Sequence, residues 1–396
     1  MVFMNDVCDV VVVGCGVIGA AIAYYLSAAG MKVIGVDQGD IASGTSSACD
    51  GNILAIDKEP GFDSQMAVAS QRLFETLEDE LSFDLEYRRL GSTLAVEDEY
   101  QAEQAVEWEK AMRDSGLSVR FIGRSDVHSY EPRLASDILG LLECSSDASL
   151  NPIALVRAFV LAAIRNGAVI RELTRVRRVV VATDGSVEGV ETDSGKIVAP
   201  IVVLAAGVWI PELARTCGVS IPILPRKGHI IVSERTFRVG SRKIQEFGYL
   251  MAKFSTTGRR GVDRETEEYG IATVFEPTPH GNFLIGSSRE FAGFDTSCNM
   301  KVVDLMARRA IRFFPCIKDI RVIRTYAGLR PYTADHRPII SGVDAVSGLY
   351  IASGHEGDGI GLAPITGVLV RDMILERHSP IPLEPLSLRR FAQIQN

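Results

Sequence analysis

The sequence predicts an α/β fold, α+β in its two-domain organisation: a parallel sheet flanked by helices, and a second, β-rich domain inserted into it. Three observations predict this. Residues Val10 to Val13 are four consecutive valines, which read as a strand buried on both faces of a parallel sheet. A complete G-x-G-x-x-G follows at Gly14, Gly16 and Gly19. The chain has 396 residues, enough for two domains, and its stretch from Ile221 to Glu290 is β-rich and punctuated by prolines.

The glycine motif has a physical reading at each position. Gly14 permits the tight strand-to-helix turn, Gly16 lets a pyrophosphate approach the backbone, and Gly19 lets the helix lie close to the strand. The helix opening at Val17 and Ile18 begins with free N–H groups and a positive dipole end, which suits a diphosphate. Gly30 is its C′ glycine. Met31 to Val36 reads as the second strand, closed by Asp37 and followed by Gln38. An acid about twenty residues past the glycines can accept hydrogen bonds from a ribose. Strand, capped helix and acid together predict a dinucleotide site, and the motif alone leaves FAD and NAD open, since both use it.

Ile41 to Asn52, with Ser43, Gly44, Thr45 and Ser46, reads as a second phosphate-binding loop in preference to a solvated Ser/Gly loop, because it lies directly behind the acid-tipped strand. Met66, Leu73, Leu77 and Leu81 recur at helical spacing and predict a packed surface helix over 64–81. Phe83 to Val96 alternates as strands do, and Glu99 to Ser115 reads as a charged, exposed helix. Asn151-Pro152 opens a helix with a buried stripe of Ile153, Val156, Val160, Ala163 and Ile164, stopped by Gly167. A β-rich stretch runs from Ala168 to Val202, with hairpin turns at Asp184-Gly185 and Asp193-Ser194-Gly195. Ile201 to Leu204 is another buried strand, ending in Ala205-Ala206-Gly207-Val208-Trp209, as a sheet does where it meets a nucleotide.

From Ile221 no helical periodicity is expected before about Met300, and Ser255 to Glu268 reads as an exposed loop, with a lid as the alternative. The segment Gly328-Leu329-Arg330-Pro331 to Ile340 returns to the first domain. A strand at 348–352 then passes through Gly354-His355-Glu356-Gly357-Asp358-Gly359-Ile360-Gly361 into a helix ending near Glu376, a second glycine-rich turn. Two such turns at opposite ends of the chain fit one large dinucleotide.

Composition excludes several classes. A net charge of -8 without a Lys/Arg-rich run argues against nucleic-acid binding. The 7 cysteines include no C-x-x-C pair, so this chain is not expected to hold zinc or an iron–sulfur cluster by itself, and their scatter suits a reducing cytoplasm. The uncharged run Val10 to Met31 is preceded by Asp6 and Asp9 and carries glycines at nucleotide-loop positions. It reads as the buried start of the sheet, with no targeting or transmembrane segment.

With these residues assembled, the chain resembles the D-amino-acid oxidase family of FAD enzymes, which includes glycine oxidase and sarcosine oxidase. The anchors are the first glycine motif with Asp37, Ala205 to Trp209, Gly328 to Pro331, and the C-terminal glycine turn. Pro279 to Ser288 and Gly354 to Gly361 look most like a branch of FAD subunits, those of D-hydroxyproline dehydrogenase, opine oxidases, dye-linked proline dehydrogenase and hydrogen cyanide synthase. The resemblance implies a Rossmann-type FAD domain of the glutathione-reductase-like fold (1–84, 150–217 and 325–396) and a β-sheet substrate domain (85–149 and 218–324). It implies hydride transfer to flavin from the amine-bearing carbon of a D-amino acid, proline or hydroxyproline, opine or glycine, leaving an imine that hydrolyses.

The resemblance assigns cofactor contacts to Gly14, Gly16, Val17, Ile18, Gly19, Asp37, Gln38, Ser43, Gly44, Thr45, Ser46, Val176, Ala206, Gly207, Trp209, Gly328, Arg330, Gly354, Glu356, Gly357, Asp358, Gly359 and Ile360. It assigns catalytic positions to Arg330, Tyr249 and His355. Arg330 matches the arginine that grips the substrate carboxylate, with a structural salt bridge as the alternative. Tyr249 stands as either a substrate-facing tyrosine or a packed aromatic. N–H groups at Gly357 to Gly361 can stabilise negative charge on reduced flavin. Covalent attachment in sarcosine-oxidase-like members uses a late cysteine or an early-loop histidine. This chain has no cysteine after Cys316, and its early loop offers Cys49 but no histidine, so non-covalent FAD is expected. The expected assembly is a cytoplasmic dehydrogenase acting beside other redox subunits or as a homo-oligomer. A self-sufficient oxidase making hydrogen peroxide, an NAD-linked reductase and a non-catalytic flavin-holding subunit are the rivals.

Overall fold

A computed structural model of the chain describes residues 6–254 and 260–391. The four valines form the buried strand Val10–Val13, inside a six-stranded sheet. Strand order across that sheet is 339–342, 349–353, 201–204, 10–13, 33–36, 169–171. All neighbours are parallel except the edge strand Ile339–Gly342. Val13 is in register with both Val36 and Leu204, and Leu204 with Ile351. Four strands therefore end together, and the turns that follow them leave the sheet at one edge. That carboxyl edge is where a parallel sheet presents a ligand crevice.

The helix Val17–Ala28 packs between the helices Pro152–Arg165 and Gly359–Ile374. Its C-cap is Ala29, and Gly30 follows at φ 88°, the left-handed conformation of a C′ glycine. Gly367 lies where the first and last helices cross. A Cβ there would stand 3.0 Å from the Ala21 carbonyl oxygen and run into the Tyr25 ring.

The second large sheet has eight strands, ordered 322–332, 224–233, 283–286, 274–277, 243–246, 92–96, 140–144, 119–123. Strand Val322–Tyr332 pairs antiparallel with Leu224–Ser233, setting Gly228 opposite Gly328 and Arg226 opposite Arg330. Smaller sheets complete the described residues: strands 52–53 with 148–149, and a four-stranded one made of 6–7, 195–198, 187–192 and 176–181. The hairpin turns expected near Gly185 and Ser194 join the last three of these strands.

Four local expectations are corrected. Of the stretch Phe83 to Val96, only Ser92–Val96 forms a strand, apart from a single bridge between Arg88 and Ser149. The buried stripe of Pro152–Arg165 is rotated: Ile153 and Ile164 are exposed, while Leu155, Val156, Phe159, Val160 and Ala163 are buried. Phe159 turns the helix inward because its ring packs against Tyr24 and Tyr25. The region after Ile221 contains a helix at Phe247–Phe254, too short to show a period, anchored by Phe247, Leu250 and Met251 and by the stacking of Trp108 on Phe254. Within the expected loop Ser255 to Glu268, residues 255–259 lie outside the described residues, and Arg264–Glu268 is a helix begun by the Asp263 carboxylate, which accepts the Thr266 N–H.

Among the described residues no helix is long and apolar enough to cross a membrane, and the uncharged run from Val10 resolves into a strand, a turn and a helix of 12 residues.

Gly367→Ala tests the helix crossing. Helix propensity alone favours alanine over glycine by about 1 kcal/mol. The collision with Ala21 and Tyr25 is expected to outweigh that, as overpacking costs about 1–3 kcal/mol. The variant should therefore unfold at a lower temperature in calorimetry. A raised Tm would show that the two helices are free to separate.

Candidate active site

A cavity of about 540 Å³ runs along the carboxyl edge of the six-stranded sheet and is also lined by the eight-stranded sheet. The first glycine turn contributes Gly14, Gly16, Val17 and Ile18, and the next strand end contributes Asp37 and Gln38. Ser43, Gly44, Thr45 and Ser46 come from the early loop, with Val176, Ala206, Gly207 and Trp209 further along. Gly328, Arg330, His355, Glu356, Gly357, Gly359 and Ile360 complete the predicted set that lines it. The two ends of the chain therefore meet in one cavity.

Local chemistry explains this wall. Gly14 adopts φ 99°, and a Cβ on it would lie 2.7 Å from the Ala206 Cα, so neither conformation nor space admits a side chain. Gly19 lies behind the wall, not on it, and its missing side chain leaves room for the Gly14 carbonyl. The helix Val17–Ala28 starts with no acidic residue in its first turn and no side-chain cap from its own N-cap, Gly16. One of its N–H groups is taken from outside, Val17 donating to the Ser46 hydroxyl at 3.0 Å. The helix Gly359–Ile374 likewise opens without a side-chain cap. The cavity thus holds two positive helix ends.

Asp37 accepts the Cys15 N–H at 2.7 Å and the Gly39 N–H at 2.9 Å, one on each carboxylate oxygen. Burial raises its pKa, and these two bonds act against that rise. The early loop is tied across the cavity by Thr45, whose hydroxyl donates to the Leu329 carbonyl at 2.6 Å. Gly328 makes that approach possible, since a Cβ there would stand 2.8 Å from Ala48. His355 is buried, with Nε2 2.9 Å from the Thr366 hydroxyl and Nδ1 without a partner among the described residues. Burial lowers its pKa to about 4, with Asp358 opposing, so the ring is neutral at physiological pH.

A smaller polar cavity of about 80 Å³ adjoins the first and shares Asp50, Ser287, Arg330, Glu356 and Gly357 with it. Arg330 stands on the strand Val322–Tyr332 and folds its guanidinium over Gly228, donating to the Ser288 carbonyl at 2.9 Å. Tyr249 lines the smaller cavity only, with the Arg289 guanidinium 3.7 Å from its ring centre. Burial opposes ionisation of Tyr249, but Arg289, Lys253, Arg226 and Arg330 around it outweigh burial and lower its pKa. Asp358 also faces the smaller cavity, where it is paired with Lys58 at 2.9 Å. Gly354 lines neither: its φ of 85° makes the turn, and a Cβ would meet Thr333 at 2.7 Å.

Several wall residues escaped the sequence reading. Gly228, Ser287, Arg289, Lys58 and Lys243 come from strands or loops whose pattern is that of ordinary structure. Gly228 carried a usable signal, being a lone glycine inside a strand, which often marks close approach of another group.

Comparison with known proteins gives the same picture. The family model described as FAD dependent oxidoreductase (DAO) matches residues 9–373. The chain is 27% identical to hydrogen cyanide synthase subunit HcnC of Pseudomonas aeruginosa, covering 98% of this chain and 97% of that protein. It is 27% identical to glycine oxidase of Geobacillus kaustophilus, over 96% of this chain and 97% of that protein. The crystal structure of that glycine oxidase superposes with a TM-score of 0.84 at 26% identity, over 97% of this chain and 99% of that chain. An opine oxidase subunit of Rhizobium meliloti is 27% identical, over 97% of each chain.

The site fits FAD on its own terms. Glycine backbones at Gly14, Gly16 and Gly357 leave the wall bare of side chains, two helix starts without a cap from their own N-cap residues suit phosphate and flavin charge, and Asp37 stands at the strand end, where its carboxylate could accept from a ribose.

The neutral His355 carries a pH prediction. Its folded pKa of about 4 lies below the ordinary 6.5, so the unfolded chain takes up a proton that the folded one refuses. Stability should fall as pH drops from 6.5 towards 4, by about 3 kcal/mol from this residue. His229 and His336 are likewise lowered to about 4 and contribute in the same sense, so the difference between proteins is the readout. Denaturant titrations of His355→Gln over that window should give a flatter stability–pH curve than the parent. Parallel curves would show that the folded protein protonates His355 normally.

Proposed function

This chain belongs to the DAO family of FAD dependent oxidoreductases, and on that premise we propose that it oxidises the C–N bond of a carboxylate-bearing amine. The observation that carries the reading is the position of Arg330. Its guanidinium is shared by the cavity that fits FAD and the small polar cavity beside it, and no carboxylate lies within salt-bridge distance of it among the described residues. Burial and Arg226 lower its pKa, and such a cation in a protected site is complete when a bound carboxylate accepts its fork.

In the proposed reaction Arg330 holds the substrate carboxylate and so fixes the amine-bearing carbon at the junction of the two cavities. That carbon loses its hydrogen with the bonding pair, the nitrogen lone pair closes a C=N bond, and the nitrogen gives up a proton. FAD, when bound, supplies the acceptor for the hydride. Water then converts the imine to a carbonyl compound and an amine. Gly357, Gly359 and Ile360, at an uncapped helix start, present N–H groups suited to negative charge nearby. His355 contributes a neutral ring that ties this turn to Thr366.

The proposal includes non-covalent FAD. Cys49 lines the large cavity, but burial, with Asp50 and Glu276, pushes its thiol well up, and an un-ionised thiol is a poor nucleophile. It also includes the division into an FAD unit (1–84, 150–217, 325–396) and a substrate unit (85–149, 218–324). The separate six- and eight-stranded sheets support the division, and residues 325–332 hydrogen-bond within the second sheet. We place the chain in a dehydrogenase complex, a reading supported by relatives that are themselves named as subunits.

Arg330→Ala should cost about 2–5 kcal/mol in kcat/KM while FAD stays bound. Arg330→Lys should recover part of it, since a point charge does not reproduce the fork. Unchanged kinetics in Arg330→Ala would make the arginine structural. For the electron acceptor, stopped-flow reoxidation of the substrate-reduced chain decides. Slow reaction with oxygen, accelerated by a dye or partner subunit, is expected. Oxidation by air at the turnover rate, with stoichiometric hydrogen peroxide, would establish an oxidase instead.

A further inference from the structure

The charges around the small cavity do not balance. Each of its acids has a cation beside it: Asp50 lies 3.6 Å from Lys243, Asp57 and Asp358 share Lys58, and Glu356 pairs with Arg226. Glu276, next to Asp50, is pushed up to about 8 by burial and by Asp50, and adds little negative charge. Among the described residues, Arg289, Arg330 and Lys253 line the cavity with no carboxylate in salt-bridge distance, against one acid in excess of its partner at Lys58, so the cations outnumber the acids, and only the two arginines offer a fork.

Neither guanidinium is satisfied by the protein. Arg330 donates once, to the Ser288 carbonyl, and Arg289 donates once, to the Gly270 carbonyl at 3.2 Å. Each guanidinium has five N–H donors. The Arg289 Nε is buried and without a partner. The two cations also oppose each other: burial lowers Arg289 to about 10, Tyr249 works against that, and Arg330 adds to it. Arg289 nevertheless remains charged at neutral pH. Packing on the Tyr249 ring holds its plane in place while leaving the edge donors free.

We propose that Arg289 is a second carboxylate-binding group, on the wall of the same small cavity as Arg330, and that the substrate is a small amine carrying two carboxylates, one for each arginine. The inference rests on the reading of Arg330 as the residue that grips the first carboxylate. The reacting C–N bond then lies between the two anionic ends. A cavity of about 80 Å³ restricts the second arm to a short one, of the size of an acetate or propionate group. Two buried cations that repel each other when free are both neutralised by such a ligand, whereas a monocarboxylate leaves Arg289 uncompensated.

Binding to the FAD-loaded protein tests this without turnover. Glutarate has the backbone of iminodiacetate with carbon in place of nitrogen, and butyrate lacks its second carboxylate. Titrations followed by perturbation of the flavin spectrum should show glutarate binding about 30-fold tighter than butyrate. In Arg289→Gln the ratio should fall by about tenfold or more, and Arg289→Lys should restore part of it. FAD content of each variant reports folding; should Arg289→Gln lose FAD, the parent ratio and Arg289→Lys decide. A ratio near one in the parent, or an unchanged ratio in an FAD-replete Arg289→Gln, would overturn the proposal. Iminodiacetate separates the two levels. Bleaching by glycine or sarcosine with no advantage for iminodiacetate would overturn this inference and leave amine oxidation standing. A strong preference for glutarate without bleaching by any amine would support the anion pair and refute amine oxidation.

Discussion

Gly228 and Gly328 face each other in register on two neighbouring strands, and the site depends on what their missing side chains admit. At Gly328 the early loop comes in against the strand, brought to Ala48 and held by the Thr45 bond to Leu329. At Gly228 the Arg330 guanidinium lies over the backbone. One pair of glycines therefore both fastens the wall of the large cavity to the second sheet and seats the cation at the boundary between the cavities. A side chain at Gly328 would open a gap between elements that the chain separates by nearly three hundred residues, Thr45 and Leu329 being 284 apart, and one at Gly228 would displace the Arg330 guanidinium.

The opposing term is desolvation. Arg226, Arg289 and Arg330 are all lowered from the usual arginine range, burial being the first cause in each case. Leaving such groups without a counter-charge costs several kcal/mol, so their persistence at a cavity wall marks a binding function more strongly than a stabilising one. Arg226 is answered by Glu356 and by the Tyr332 ring, which makes it the structural member of the three. The neutral His355 and un-ionised Cys49 fit the same picture of a site whose unpaired charge is cationic.

Much of this was legible in the sequence, for physical reasons that differ by region. The first strand, turn, helix and Asp37 were readable because one short βαβ unit carries all its constraints within about thirty residues. The C-terminal turn was readable for the same reason, and so was the meeting of both ends. Side-chain orientation on longer elements was less so: the helix after Asn151 offers apolar residues on more than one face, and Phe159 packing on Tyr24 and Tyr25 selects among them. The helix at Phe247–Phe254 and the wall residues Arg289, Lys58 and Lys243 were not readable. Their placement follows from contacts between strands far apart in sequence, and a buried unpaired arginine has no local pattern that distinguishes it from a surface one. Arg330 was found through a motif, while Arg289, one residue past the Ser288 that Arg330 bonds to, had none.

In the proposed function a carboxylate held by Arg330 places a C–N bond for oxidation by bound FAD. Anaerobic mixing of the purified yellow protein with a panel of primary and secondary amino acids and dicarboxylic amines tests it most directly, following the flavin band and the carbonyl released. At least one carboxylate-bearing amine should bleach the flavin and yield one carbonyl product per flavin reduced, while the same amines lacking a carboxylate should not. A flavin that dithionite bleaches but no carboxylate-bearing amine does, or that amines reduce equally well without a carboxylate, would contradict it.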